Sequence, residues 1–176
     1  GKWWGYEATG FKPDIIVTGK PMGNGLPIAA TAASKDLVDT FRARTRYFNT
    51  FASSPLQAAV GSAVIDYIER EKLVENVASV GAYLKAELKK RAGASPAIGD
   101  IRGVGMFIGV EMVKPDGAPD VDATVDVVNR LKDKGFLTSN AGIFRNVVKI
   151  RPPLVFRREH ADMFLVAWDE TVREIG

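Results

Sequence analysis

The chain lacks cysteine entirely and has only one histidine, His160, among its 176 residues. Without cysteine it cannot form a disulfide scaffold or a metal site built from thiolates. No cysteine or second histidine is patterned around His160, which we interpret as a surface residue and not as a ligand. The sequence therefore predicts no metal site.

Long apolar runs and a strong excess of one charge are also absent. No apolar stretch approaches the length of a membrane span. Lysine and arginine number 24 against 21 acidic residues, and the basic clusters lack interleaved aromatic residues that could stack on bases. We expect neither membrane insertion nor nucleic-acid binding, although the isoelectric point is about 9.2. The composition, 46% apolar and 26% charged, is ordinary for a globular protein, and the cytoplasm is its expected location.

The most informative segment places Lys20 directly after a short apolar strand. Four strand-forming residues, 15–18, lie between Pro13 and Gly19. The following stretch, 21–27, is rich in glycine and proline, so we expect a turn that another molecule can approach closely. Partial desolvation at the end of a strand would activate the amine as a nucleophile toward a carbonyl. The segment thus predicts a lysine that forms a Schiff base.

Two other interpretations of this lysine compete with the first. A nucleotide phosphate loop has its glycines before the lysine and a serine or threonine after it. Here the glycines follow Lys20 and the next residue is Pro21, so the order excludes that motif. The other alternative is a surface lysine beside an ordinary turn, which describes most lysines. The residues of this segment alone favour the surface lysine and the Schiff-base lysine equally.

Four segments together resemble the class III (omega-type) aminotransferases, which are pyridoxal phosphate enzymes of fold type I. One such motif would be weak evidence, but these four occur in family order and cover nearly the whole chain. The segments are PDIIVTGKPMGNGLP at 13–27, YFNTF at 47–51, GDIRGVGMFIGVE at 99–111 and NVVKIRPPL at 146–154. The last of them, with its lysine, is also similar to the class III phospho-lyases that act on amino-alcohol phosphates.

The resemblance implies an α/β fold in two parts. Residues 1–94 would form the end of the large pyridoxal phosphate domain with its linking helices, and residues 95–176 a small carboxyl-terminal α+β domain. In the family, the aspartate that pairs with the pyridine nitrogen, the aromatic residue that stacks on the ring and one phosphate loop precede the position of Gly1. Asp14 matches a structural aspartate instead. We therefore expect the chain to be the carboxyl-terminal portion of a longer enzyme.

The resemblance also assigns two residues to the cofactor. Lys20 matches the lysine that binds pyridoxal phosphate covalently and acts in catalysis. Thr50 matches a threonine that reaches the cofactor phosphate of the neighbouring subunit, which implies a homodimer with shared active sites. The family usually has Gly-Gly-Asn-Pro where this chain has Ala-Ser-Ser-Pro at 52–55. From the residues alone, Thr50 and Ser53 could merely cap the helix that follows.

Lys149 and Arg151 are the candidate substrate-binding residues. Many class III aminotransferases have an arginine at the position of Lys149, where it binds the substrate carboxylate through two parallel hydrogen bonds. Lysine is a point charge on a flexible stem and loses that planar geometry. Arg151 lies two residues further on, on the same side of the predicted strand. It is either a substitute for the arginine or a solvated charge at a strand end.

The hydrophobic pattern predicts where the helices and strands lie. The helix at 56–70 is apolar nearly all round, so we expect it to be buried. The other predicted elements are strands at 15–18 and 26–33, helices at 35–44 and from Leu73 to Gly93, a strand over 98–113 with a Gly-x-Gly interruption, a helix at 121–134, strands at 136–139 and 147–151, and a helix at 158–174.

Three functional hypotheses follow. The first is an aminotransferase that uses Lys20 and transfers an amino group from an amine or amino acid to a keto acid. The second is a phospho-lyase that acts on a phosphorylated amino alcohol. The third is a non-catalytic fragment or interaction module, which a likeness of fold alone does not exclude.

Overall fold

The computed structural model describes residues 1–93 and 95–175. Within it the chain divides into two compact units, Lys2–Lys72 and Leu73–Gly176, the second of which includes Gly1. The predicted domain boundary falls at Ala94, which lies outside the described residues, and that boundary stays a prediction.

The first unit contains a two-stranded antiparallel sheet and two helices. Strand β1 (Ile15–Thr18) pairs with β2 (Ala30–Ala33), so that Ile15 lies opposite Ala33. Helix α1 (Lys35–Arg44) begins where the Ser34 hydroxyl accepts a hydrogen bond from the backbone N–H of Leu37, as a helix N-cap does. Helix α2 spans Pro55–Arg70. The bounds of β1 and α1 are those that the sequence predicts, whereas β2 is shorter than predicted.

Helix α2 corrects one expectation. Its apolar surface predicts burial, but none of its residues is buried in this chain. It packs against the short 3-10 helix Lys20–Gly23, and the Gln57 side chain donates a hydrogen bond to the Pro27 carbonyl at 2.8 Å. One hairpin and one further helix do not provide enough surface to cover a helix that is apolar on several sides.

The second unit is a four-stranded antiparallel sheet with helices. The strand order is β3-β4-β6-β5, and the helices share a hydrophobic core with the sheet. The strands are β3 (Ile98–Val104), β4 (Phe107–Met112), β5 (Ser139–Ala141) and β6 (Val147–Ile150), and the helices are α3 (Leu73–Ala92), α4 (Val121–Asp133) and α5 (Arg158–Ile175).

Two predicted strands differ from the observed ones. Residues 98–113 form the β3–β4 hairpin instead of one interrupted strand, because Gly103 and Gly105 have φ of +150° and +57° and the chain reverses there. The strand predicted at 136–139 begins only at Ser139. A short apolar run shows that a strand is near but does not fix its ends.

The sheet has one core face and one outer face. On β4, Ile108, Val110 and Met112 are at most 1% exposed and pack in the core with the helices. Because side chains alternate along a strand, the intervening residues point the other way. We call this side the outer face; it carries Phe107, Gly109 and Glu111 of β4 with Val147 and Lys149 of β6. The predicted substrate residue Lys149 therefore lies opposite the hydrophobic core.

Candidate active site

Lys20 follows strand β1 and begins a tight turn. Its backbone φ is 56°, in the left-handed region that residues other than glycine rarely adopt. The turn closes through a hydrogen bond from the Asn24 N–H to the Pro21 carbonyl at 2.9 Å. The Lys20 residue is exposed, so the expected partial desolvation is not seen, because no element of the described chain covers this amine.

Two glycines make the lysine turn possible for different reasons. Gly23 is buried, and a Cβ there would lie 2.9 Å from two side-chain carbons of Ile28. Gly25 has a φ of +113°, which a residue with a side chain adopts only under strain. Packing against Ile28 thus fixes the turn at Gly23, and a positive φ allows the backbone to turn at Gly25. The turn therefore holds the backbone of Lys20 in a defined position.

Thr50 lies in a turn that precedes helix α2. The Asn49 side chain accepts a hydrogen bond from the Phe51 N–H at 2.9 Å, and the Asn49 carbonyl accepts one from the Ala52 N–H at 3.1 Å. Thr50 is exposed, and its hydroxyl makes no hydrogen bond to the part of the chain that the structure describes. The N-cap of α2 is Ser54, so the alternative that Thr50 or Ser53 caps this helix is wrong.

Lys149 lies on strand β6, inside the four-stranded sheet. It pairs with Gly109 of β4 on one side and with Ser139 of β5 on the other. Its residue is half-buried, and its ammonium forms no ion pair within residues 1–93 and 95–175. A Cβ at Gly109 would lie 2.9 Å from Val147 Cγ1, so the Val147 side chain occupies the space beside this glycine. Arg151 lies beyond the end of β6 and is exposed, and its role in substrate binding stays a prediction.

A charged network crosses the same outer face. Arg102 of β3 pairs in register with Gly109 and donates hydrogen bonds to Glu111 at 2.6 Å and to Asp100 at 3.0 Å. These bonds, first to Glu111 and then to Asp100, raise the pKa of Arg102 above its ordinary value. The buried Asn146 side chain also donates to Glu111, at 3.4 Å. Sequence reasoning missed this network, although the alternation of Asp100 and Arg102 was a signal for a polar strand face.

The predicted site residues fall into two pairs. Lys20 and Thr50 belong to the first unit, and Lys149 and Arg151 belong to the second. An exposed primary amine and a free hydroxyl beside a helix start fit two parts of a pyridoxal phosphate site, the covalent anchor and the phosphate contact.

Among the described residues there is no cluster of three potential metal ligands. No described helix is both long and apolar enough to cross a membrane.

Comparison with known proteins identifies relatives of two kinds. The chain is 37% identical to alanine–glyoxylate aminotransferase 2 homolog 2 of Arabidopsis thaliana, over 99% of this chain and 37% of that protein. It is 34% identical to ethanolamine-phosphate phospho-lyase homolog 1 of Caenorhabditis elegans, over 97% of this chain and 38% of that protein.

A solved structure is similar over nearly the whole chain. It is an Arthrobacter phospholyase in complex with phosphoethanolamine, with a TM-score of 0.94 and 37% identity over 97% of this chain and 41% of that one. The solved relatives have the pyridoxal phosphate fold type I, which confirms the predicted fold class. The chain spans less than half the length of the two sequence relatives and of the solved phospholyase.

The family model for class III aminotransferases matches residues 1–172. This match confirms the resemblance that the four motifs suggest, and the family depends on pyridoxal phosphate, as expected. The chain belongs to the class III aminotransferase family.

Proposed function

We propose that the complete protein is a pyridoxal phosphate enzyme that eliminates phosphate from a phosphorylated amino alcohol. The observation that carries this proposal is Lys149, a half-buried residue on the outer face whose ammonium forms no ion pair within the described chain. A point charge on a flexible stem suits a phosphate group, whereas strict recognition of a planar carboxylate favours arginine. The similarity to a phospholyase crystallised with phosphoethanolamine supports the same substrate class.

Lys20 and Thr50 would hold the cofactor. The Lys20 amine is the covalent anchor, and the Thr50 hydroxyl, beside the start of α2, is a contact for the cofactor phosphate. When bound, pyridoxal phosphate supplies an electron sink for the carbon that carries the substrate amine. Once the substrate amine has displaced it from the cofactor, the free Lys20 Nζ would take a proton from that carbon and return one later. Loss of this proton together with loss of phosphate from the next carbon would complete an elimination.

Transamination is the second candidate. It is favoured by the equally high identity to an alanine–glyoxylate aminotransferase homolog, and it ranks first from the sequence alone. The proposal reverses that order because of Lys149. Lys20 anchors the cofactor and takes up a proton in both reactions, so it does not distinguish the two candidates. The anion that Lys149 binds does distinguish them. The proposed assembly is a homodimer that includes the amino-terminal portion of the enzyme, and a cytoplasmic location stays a prediction.

The decisive experiment measures products. The complete protein, loaded with cofactor, is given phosphoethanolamine without any keto acid, and inorganic phosphate is assayed. We expect phosphate release, and Lys149→Met should raise KM for this substrate by about tenfold or more because a charge-assisted contact is lost. Lys114→Met, which removes an exposed lysine without an ion pair in the described chain, should leave KM unchanged.

Other outcomes identify the alternatives. Amino transfer that requires a keto acid, without phosphate release, would replace the lyase proposal by transamination. A protein that borohydride does not label with cofactor at Lys20 would be non-catalytic at this site, which would refute both enzyme proposals.

A further inference from the structure

Glu111 lies between two cations on the outer face of the sheet. In the sheet register Arg102 and Lys149 flank Gly109, one on each side. Glu111 is two residues beyond Gly109 and shares its face, so it is a diagonal neighbour of both cations. Diagonal neighbours are separated by about 7–8 Å, which long side chains can span. By position, Glu111 could therefore pair with either Arg102 or Lys149.

The structure pairs Glu111 with Arg102 and not with Lys149. Glu111 Oε2 accepts a hydrogen bond from Arg102 Nη1 at 2.6 Å. Glu111 Oε1 accepts one from Asn146 Nδ2 at 3.4 Å. Each carboxylate oxygen thus accepts a hydrogen bond from a donor other than Lys149.

Asn146 is itself fixed. It is 2% exposed, and its side chain also donates to the Met112 carbonyl at 2.9 Å. Its own backbone carbonyl accepts a hydrogen bond from the Met112 N–H at 2.7 Å. This residue therefore ties the end of β4 to the start of β6 and provides one oxygen of Glu111 with a fixed hydrogen-bond donor.

We propose that Arg102, assisted by Asn146, keeps the Glu111 carboxylate engaged so that the Lys149 ammonium stays free for an anionic substrate group. Arg102 is in this view a positioning residue, because it acts through Glu111. The inference rests on the proposed substrate role of Lys149. It explains why a strand face with a carboxylate within reach of Lys149 still leaves this lysine without an ion pair in the described chain.

The first test asks whether removal of the Glu111 carboxylate rescues a variant that lacks Arg102. In the complete enzyme, Arg102→Met should raise KM for phosphoethanolamine about twofold to fivefold, since Lys149 then pairs with Glu111. Adding Glu111→Gln should restore KM, and Arg102→Lys should keep it near the parent value. Arg130→Met, which breaks a similar three-residue ion network between α4 and α5, should leave KM unchanged. A rise in KM that Glu111→Gln does not reverse would overturn the inference.

A second readout does not depend on activity. The rate at which an acylating reagent modifies Lys149, measured by peptide mass spectrometry, should fall severalfold in Arg102→Met and recover in the double variant with Glu111→Gln. An unchanged rate in Arg102→Met would refute the inference directly. If the rates follow this pattern but KM stays constant and inorganic phosphate does not protect Lys149, the pairing is supported and the proposed substrate role of Lys149 is refuted.

Discussion

At the scale of single residues, Lys20 occupies a backbone conformation that costs stability. Its φ of 56° lies where a residue with a side chain loses about 1 kcal/mol or more relative to glycine. Asn24 has a similar φ of 48°, but asparagine tolerates this region better than lysine does. Glycine would adopt this conformation with less strain, so folding alone does not explain the lysine. Its presence supports a functional role for its amine.

This strain predicts opposite effects on stability and function. The free energy of unfolding of Lys20→Gly should exceed that of Lys20→Ala by about 1 kcal/mol, because only glycine relaxes the turn. Lys20→Gly should therefore unfold at a higher urea concentration. Both variants should lose cofactor labelling by borohydride and nearly all activity, because the anchor and the proton carrier are removed together. If Lys20→Gly were less stable than Lys20→Ala, the positive φ would not be a source of strain.

At the scale of elements, two helical glycines differ in what surrounds them. Gly81 of α3 is buried against the turn between β3 and β4, and a Cβ there would lie 2.3 Å from the backbone carbon and oxygen of Gly105. A Cβ at Gly61 of α2 would meet only Ile28 Cδ1, at 3.6 Å, outside its own helix backbone. Gly81 therefore permits close packing of the helix on the hairpin, whereas Gly61 has room for a methyl group.

Matched alanine substitutions should therefore have opposite signs. Gly61→Ala should stabilise the protein by about 0.5–1 kcal/mol, because alanine is the better helix former. Gly81→Ala should destabilise it by about 1–3 kcal/mol or more, since the obstructing atoms are backbone and cannot rotate away. Urea unfolding followed by circular dichroism measures both. A stabilising Gly81→Ala would show that α3 does not pack this closely on the hairpin.

The elements also show which features local sequence determines. Helix α1 has the predicted bounds because its cap at Ser34 and its polar pattern are encoded within a few residues. The β3–β4 hairpin was not predicted, because the same glycines permit either an interrupted strand or a reversal. The exposure of α2 could not be predicted either, since burial depends on which other surfaces cover the helix.

At the scale of the whole molecule, motifs predict the four candidate site residues but not the hydrogen-bonded network beside Lys149. Lys20, Thr50, Lys149 and Arg151 belong to segments whose residue order resembles a family. Arg102 and Asn146 become informative only once the sheet register brings them to Glu111. Register between distant strands depends on pairing and packing across the sheet, so a single sequence does not reveal it.

The resemblance to dimeric class III enzymes predicts that an active site combines Lys20 of one subunit with Thr50 of the other. The Lys20→Ala homodimer should be inactive, and the Thr50→Ala homodimer should bind cofactor weakly. Unfolding and refolding the two variants together should produce heterodimers in which one of the two sites has both residues intact. Random pairing then yields about a quarter of the wild-type number of intact sites, and activity should recover in that proportion.

The control for this experiment keeps the same substitutions but places them in one chain. When the double variant Lys20→Ala, Thr50→Ala is mixed with wild type, a heterodimer has no intact site under the shared arrangement, because each site then lacks one residue. Under the alternative, in which both residues belong to one subunit's own site, this heterodimer keeps one intact site and the mixture of single variants gains none. Tagged purification isolates the heterodimers, so the two arrangements give opposite rankings of activity. A more active heterodimer from the double variant would contradict the cross-subunit role of Thr50.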